Sequence, residues 1–134
     1  MRKTILFLIS TSMISLLLYA VPNLHAEERE VEASIQNFFG YLKDGDTQSI
    51  LSLLTEPILS EQRKLLENNS EYPEFLRKIY KNSYMVIKNT EKINRNKRAI
   101  DVEIYHGNLE PPLEIRFILK RKKGLWKISE EITD

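Results

Sequence analysis

A change of hydrophobic period near Asn82 constrains this chain more than any other feature. Before it, apolar residues recur at helical spacing; after it, they alternate with polar ones. Residues 84–93 read as a strand with imperfect alternation. Residues 98–106 alternate cleanly, with Ile100, Val102 and Ile104 on one face and Asp101, Glu103 and Tyr105 on the other. Residues 113–121 set Leu113, Ile115, Phe117 and Leu119 against Glu114, Arg116, Ile118 and Lys120. Residues 125–132 set Trp126, Ile128 and Ile132 against Lys127, Ser129 and Glu131. The connections NRNK, GNLEPP and KKG are short enough for hairpins. Helices first and an antiparallel meander second predict an α+β domain, with the helices packed on one face of a curved four-strand sheet.

The helical half divides at Asp44-Gly45-Asp46. Residues 28–43 space Val31, Ile35, Phe38, Phe39 and Leu42 along one apolar stripe. Glu27, Glu28 and Glu30 near its start suit the helix dipole. Gly45 supplies a residue able to turn left-handed and end that helix. Asp46 is an N-cap for a second helix, about 47–55, that presents Ile50, Leu51, Leu53 and Leu54. Pro57 suits the first turn of a third helix, 58–68, with Thr55 as its cap. NNSEYP is a turn, and Pro73 opens a short helix, 73–81, expected to bury Phe75, Leu76, Ile79 and Tyr80.

A length of 134 residues indicates one domain, from which the N-terminus is to be subtracted. Arg2 and Lys3, the uncharged run 5–21, and PNLHA before EEREVE have the three-part layout of a secretory signal peptide. Cleavage is expected after Ala26, giving a signal peptide at 1–26 and a domain at 27–134. The alternative is an uncleaved membrane anchor. The chain has no cysteine, so an exported domain must be held by its apolar core rather than by disulfides. Thiol nucleophiles, zinc-thiolate sites and a lipid-modified cysteine are excluded for the same reason. Asn68-Asn69-Ser70 matches a glycosylation sequon and is read as chance. The formal charge of +1 becomes −1 without Arg2 and Lys3, which gives no argument for nucleic acid.

The first helix with its break (FFGYLKDGDTQSILSLL), the hairpins after residue 83, and the closing KRKKGLWKISEE together resemble the nuclear transport factor 2-like superfamily, a cone-shaped α+β fold. The resemblance spans nearly all of 28–132 and points to small exported bacterial members of unassigned function. Many members carry a strand between the second and third helices, whereas 56–82 reads as helical throughout. The superfamily includes isomerases, dehydratases, hydrolases and plain binding modules, so the resemblance does not choose a function.

Catalytic members of such a fold keep ionisable groups on the inward face of the sheet. By alternation only His106 and Glu130 qualify here, as weak candidates for an acid–base pair at the mouth of the cone. His106 is the only histidine after residue 26, and no metal-ligand spacing, phosphate loop or serine-nucleophile motif occurs. No cofactor and no metal are expected. Phe38, Tyr41, Tyr80, Ile104, Phe117 and Trp126 are the candidate lining of an apolar pocket. The hairpin tips NRNKR and KRKK converge at one end of a meander, which brings Arg95, Lys97 and Arg98 near Lys120, Arg121, Lys122 and Lys123. The other end carries Glu110, Glu130, Glu131 and Asp134. The outward face, with Asp101, Glu103, Glu114, Arg116, Lys120, Lys127 and Glu131, reads as solvated and disfavours a sheet-to-sheet dimer, so a monomer is expected.

The expected function is therefore an exported, non-enzymatic ligand-binding or accessory domain, periplasmic or extracellular. Its expected partners are an apolar small molecule or an anionic surface or acidic protein, with no nucleic acid, and a membrane only through an uncleaved signal segment. The alternatives are a small isomerase- or hydrolase-like enzyme and a structural domain on an anchor.

Overall fold

The computed structural model describes residues 26–107 and 111–133. The apolar run 5–21, Glu110 and Asp134 lie outside these residues. By compactness the chain divides at Glu30/Val31. Residues 26–30 are helical, and the account below concerns the second unit, Val31–Asp134.

Residues 26–44 form α1, and from Val31 onward its apolar stripe is the core of the domain. Val31, Ile35, Phe38, Phe39 and Leu42 are all buried, as spacing of three and four residues along one helix face requires. The helix ends in a Schellman arrangement. The Asp46 N–H donates to the Tyr41 carbonyl (3.0 Å), the Gly45 N–H donates to the Leu42 carbonyl (3.2 Å), and Gly45 sits at φ +64°. Asp46 then caps α2, Thr47–Ser52. Its carboxylate accepts from the Ser49 backbone N–H at 3.2 Å and from the Ser49 hydroxyl at 2.6 Å.

The second helix is shorter than its apolar residues imply. Leu53 closes the last turn in the right-handed region, and Leu54 then forms a parallel bridge with Ile128. The Ile128 N–H donates to the Leu53 carbonyl and the Thr55 N–H to the Ile128 carbonyl, both at 2.8 Å. Tertiary hydrogen bonding thus overrides a weak helical preference, and the segment between the second and third helices contributes one sheet contact. In α3, Ile58–Asn68, Pro57 rather than Thr55 stands at the N-cap without a side-chain cap, and the Glu56 carboxylate accepts from the Ser60 backbone N–H at 3.4 Å and from its hydroxyl at 2.7 Å. In α4, Tyr72–Tyr80, Leu76 is buried while Phe75 and Ile79 are exposed, contrary to the expected burial of all four apolar residues. A helix of nine residues lying on a surface covers one stripe, and here that stripe is Tyr72, Leu76 and Tyr80.

The sheet is a meander in the order β1 (Ser83–Asn94), β2 (Lys97–His106), β3 (Leu113–Lys122), β4 (Leu125–Thr133). Every pairing is antiparallel. The helix-facing side carries Ile100, Val102, Ile104, Ile115, Phe117, Leu119, Trp126 and Ile128, all buried. A bulge interrupts β4. Ile118 pairs with Glu130 and Leu119 with Ile128, so Ser129 is the extra residue. Ser129 is fully buried, and its hydroxyl donates to the Ile118 carbonyl at 3.1 Å. A second shift in β1, between Ile87 and Asn89, falls at Lys88 on the free edge strand, where a bulge and a lysine both discourage edge pairing.

Candidate ligand-binding site

Between α1, α2, α3, α4 and the helix-facing side of the sheet lies a cavity of about 200 Å³. Its walls are apolar, built largely from Phe38, Leu42, Ile50, Leu54, Leu76 and Phe117, with Phe38 and Phe117 packed edge to face at 5.7 Å. Four polar side chains reach it: Gln62, Tyr72, Tyr80 and Glu131.

The β4 bulge is what brings a carboxylate there. Strict alternation from Trp126 and Ile128 puts Glu130 and Ile132 on the inner face. The extra residue at Ser129 reverses the parity, so that Glu131 pairs with inward-facing Phe117 and Ile132 with outward-facing Arg116. Glu131 lines the cavity; Glu130 belongs to a separate surface depression beside Pro57 and Glu61. The proposed His106–Glu130 pair is therefore corrected. Its carboxylate is displaced to the other face, and His106 is not part of the cavity lining either. The His106 Nδ1 lies 2.8 Å from the Ser83 hydroxyl, which also reaches the Ile79 carbonyl at 3.2 Å, and the imidazole packs against the Tyr80 ring at 5.3 Å. This buries Ser83 at the junction of α4 and β1 and props Tyr80 from behind.

The electrostatics of the hollow are those of a carboxylate placed among apolar walls. Partial desolvation pushes the Glu131 carboxyl above its ordinary value, although the residue as a whole is exposed at the rim. Burial, then Glu131, then Tyr72 push the Tyr80 hydroxyl up to about 12. Tyr72 is also raised, by burial first and Glu131 second. Among the described residues, Glu131 and the two tyrosine hydroxyls have no hydrogen-bond or ion-pair partner. None of the three is cut off from solvent: Glu131 is exposed and both tyrosines are partly buried, so water serves them at the cavity rim.

Of the predicted lining residues, Phe38, Tyr80, Ile104 and Phe117 stand on the cavity wall, whereas Tyr41 and Trp126 do not. Tyr41 is only partly buried against the core. Trp126 sits at the far end of the sheet, buried between the Arg98 and Arg121 guanidinium groups, each 4.8 Å from its ring centre. Sequence reading missed Tyr72, Gln62 and Glu131, the first two because they come from helix faces that periodicity marks as polar or terminal. A larger hollow of about 430 Å³ lies on the outer sheet face, but it is an open trough. Of its charged groups Asp101 pairs with Arg116 at 2.8 and 3.0 Å and Lys88 with Glu103 at 3.6 Å, while Glu114 stands opposite Glu103. Among the described residues no acidic or histidine cluster could hold a metal ion, and no helix is long and apolar enough to cross a membrane.

An NTF-2-like protein of unknown function from Shewanella oneidensis superposes with a TM-score of 0.60 over 78% of this chain and 96% of its own, at 7% identity. The fold is nuclear transport factor 2-like. A multiply substituted NTF2 chain aligns with a TM-score of 0.51 at 14% identity, covering 80% of this chain and 99% of its own. A ketosteroid isomerase-like protein from Erwinia carotovora atroseptica reaches a TM-score of only 0.48 at 11% identity, covering 77% and 91%, and bears no weight. No family model and no curated protein matches the sequence. Identities this low carry the nuclear transport factor 2-like fold and nothing of the activity. In that fold the helices and the concave sheet face enclose the hollow described above.

Proposed function

We propose that this domain binds a small, mostly apolar molecule with one polar end, and that it does so as an exported binding module. The observation that carries the reading is the set of three unpartnered polar groups, Glu131, Tyr72 and Tyr80, around one apolar cavity. A cavity of about 200 Å³ is below the usual range for drug-sized ligands, roughly 300–1,000 Å³. It exceeds the roughly 150 Å³ cavity that admits benzene. A single ring or short chain fits, with its body against Phe38 and Phe117. Glu131 as a carboxylate accepts hydrogen bonds, so the polar end should donate: an amine or a hydroxyl rather than a carboxylate. The layout of residues 1–26 supports export, and peptide mass spectrometry of the mature N-terminus tests it directly; a retained Met1 favours the anchored alternative.

The binding test is a thermal-shift series with benzylamine, benzyl alcohol, phenol and benzoate. Benzylamine and the hydroxyl probes should raise the melting temperature and benzoate should not. Glu131→Gln should narrow the gap between benzylamine and benzoate. If none of the four probes shifts melting at millimolar concentration, the cavity is packing space and the reading fails. A second reading, acid–base catalysis on the bound molecule, has one observation in its favour: a carboxyl and two tyrosine hydroxyls, Glu131, Tyr72 and Tyr80, line one cavity. It would rest on Glu131, not on Glu130.

A further inference from the structure

The opposite end of the sheet has a different character. Residues 92–98 and 119–127 hold four and five Lys/Arg respectively, nine of the chain's 20, with no Asp or Glu among them. The register puts like charges directly opposite one another on the outer face: Lys97 faces Lys120, and Lys120 faces Lys127, a row across three strands. Such opposition destabilises a sheet. Further along the same face both signs occur and most charges are paired, Asp101 with Arg116, Arg116 with Glu91 at 3.2 Å, and Lys88 with Glu103, the exception being Glu114 opposite Glu103. Arg95, Lys97, Lys120, Lys122, Lys123 and Lys127 have no ion-pair partner among the described residues.

Both hairpin tips at this end also expose an aliphatic side chain within the cations. Leu125, between Lys123 and Lys127, is 63% exposed and is the most exposed large apolar residue described; Ile93, next to Lys92, is 45% exposed. We infer that this end docks on an anionic phospholipid surface, with the lysines at headgroup phosphates and Leu125 and Ile93 entering the interface. A soluble polyanion would reward the cations and leave both aliphatics in water. A bilayer rewards both, since juxtamembrane lysines gain from the anionic surface potential and apolar side chains gain from the acyl boundary. Trp126, clamped between Arg98 and Arg121 beneath the tip, makes the platform rigid. The inference stands apart from the cavity, which opens at the other end of the strands.

The absence of cysteine allows a clean test on the full chain. An environment-sensitive dye on Leu125→Cys is compared with the same dye on Glu114→Cys, at the far end of β3. Vesicles are either pure phosphatidylcholine or contain one-third phosphatidylglycerol. Any insertion of the N-terminal segment is common to both label positions. The expected result is a blue shift at position 125 only, with anionic vesicles only, and reversal by high salt. The triple change Lys120→Gln, Lys122→Gln, Lys127→Gln should abolish the position-125 shift. It should also weaken partitioning on the order of a hundredfold, at roughly fivefold per lysine. Circular dichroism of each variant confirms that the fold is retained, and Leu125→Ser, which keeps every charge, gives an independent check by lowering partitioning severalfold. Equal shifts at both labels or with both lipids overturn the proposal. So does binding of inorganic polyphosphate by a protein that ignores anionic vesicles.

Discussion

Toward the end of the sheet where His106 and Ser83 lie, a cavity of about 200 Å³ remains between the helices and the strands. There Tyr72, Tyr80 and Glu131 border a hollow without partners of their own. At the end where Lys97, Lys120 and Lys127 lie, Trp126 fills the corresponding space and is 3% exposed. One end is under-filled inside. The other is tightly filled inside and carries uncompensated cations outside. The same strands serve both because one extra residue in β4 re-aims everything beyond Ile128, while the residues before it keep the simple alternation that seats Trp126.

The contrast breaks most severely at Trp126. Trp126→Ala should cost about 3–5 kcal/mol, the range for emptying a buried aromatic site. Urea denaturation reads it, and a loss under about 1 kcal/mol would mean that this end is not filled as described. Gly45 acts on the cavity end. A Cβ there would come within 2.4 Å of the Pro73 carbonyl oxygen at φ +64°, forcing α1 and α4 apart. Gly45→Ala should cost about 2 kcal/mol from backbone strain alone. It should also weaken binding of the aromatic probes while leaving vesicle docking unchanged.

The titration of Tyr80 sharpens the comparison further. Its hydroxyl, pushed up to about 12, holds its proton after the unfolded chain has lost its own near the ordinary value of 10. Its contribution to stability is therefore present below pH 10 and is lost as pH rises toward 12. Subtracting the ultraviolet titration of Tyr80→Phe should isolate one late-titrating tyrosine, and Glu131→Gln should bring that midpoint down. For Glu131 itself, the raised value means that ionisation weakens the fold as pH climbs through the carboxyl range. Glu131→Gln should then raise the melting temperature slightly at pH 7 and leave it unchanged in acid. The smallest effect belongs to the lysine row. Lys120→Glu places an opposite charge between Lys97 and Lys127 and should stabilise by about 0.5 kcal/mol while reducing docking on anionic vesicles. Gained stability with undiminished docking would separate the row from the docking surface.

Most of the fold was legible because periodicity reports directly on faces. The stripe Val31, Ile35, Phe38, Phe39, Leu42 and the inward set Ile100, Val102, Ile104 needed only spacing to be assigned. Gly45 and Asp46 needed only their backbone chemistry. The pocket's key residue was hidden because a bulge belongs to a pair of strands, not to one. Read alone, residues 126–132 alternate well enough to point Glu130 inward. A signal lay across the ladder, in the consecutive apolar residues Phe117, Ile118 and Leu119, all buried, which strict alternation cannot accommodate. Helix α4 was misjudged for a related reason. Phe75 and Ile79 are apolar at helical spacing, but a neighbouring stripe took the contact.

The single bridge between Leu54 and Ile128 has a consequence for assembly. It occupies the middle of the β4 edge, so among the described residues β1 is the flank with the longer unpartnered run of backbone groups. Growth by strand addition requires a donor flank and an acceptor flank on every copy. With β4 interrupted at Ile128 and β1 bulged at Lys88, neither flank presents a straight, unbroken edge on which such growth could begin.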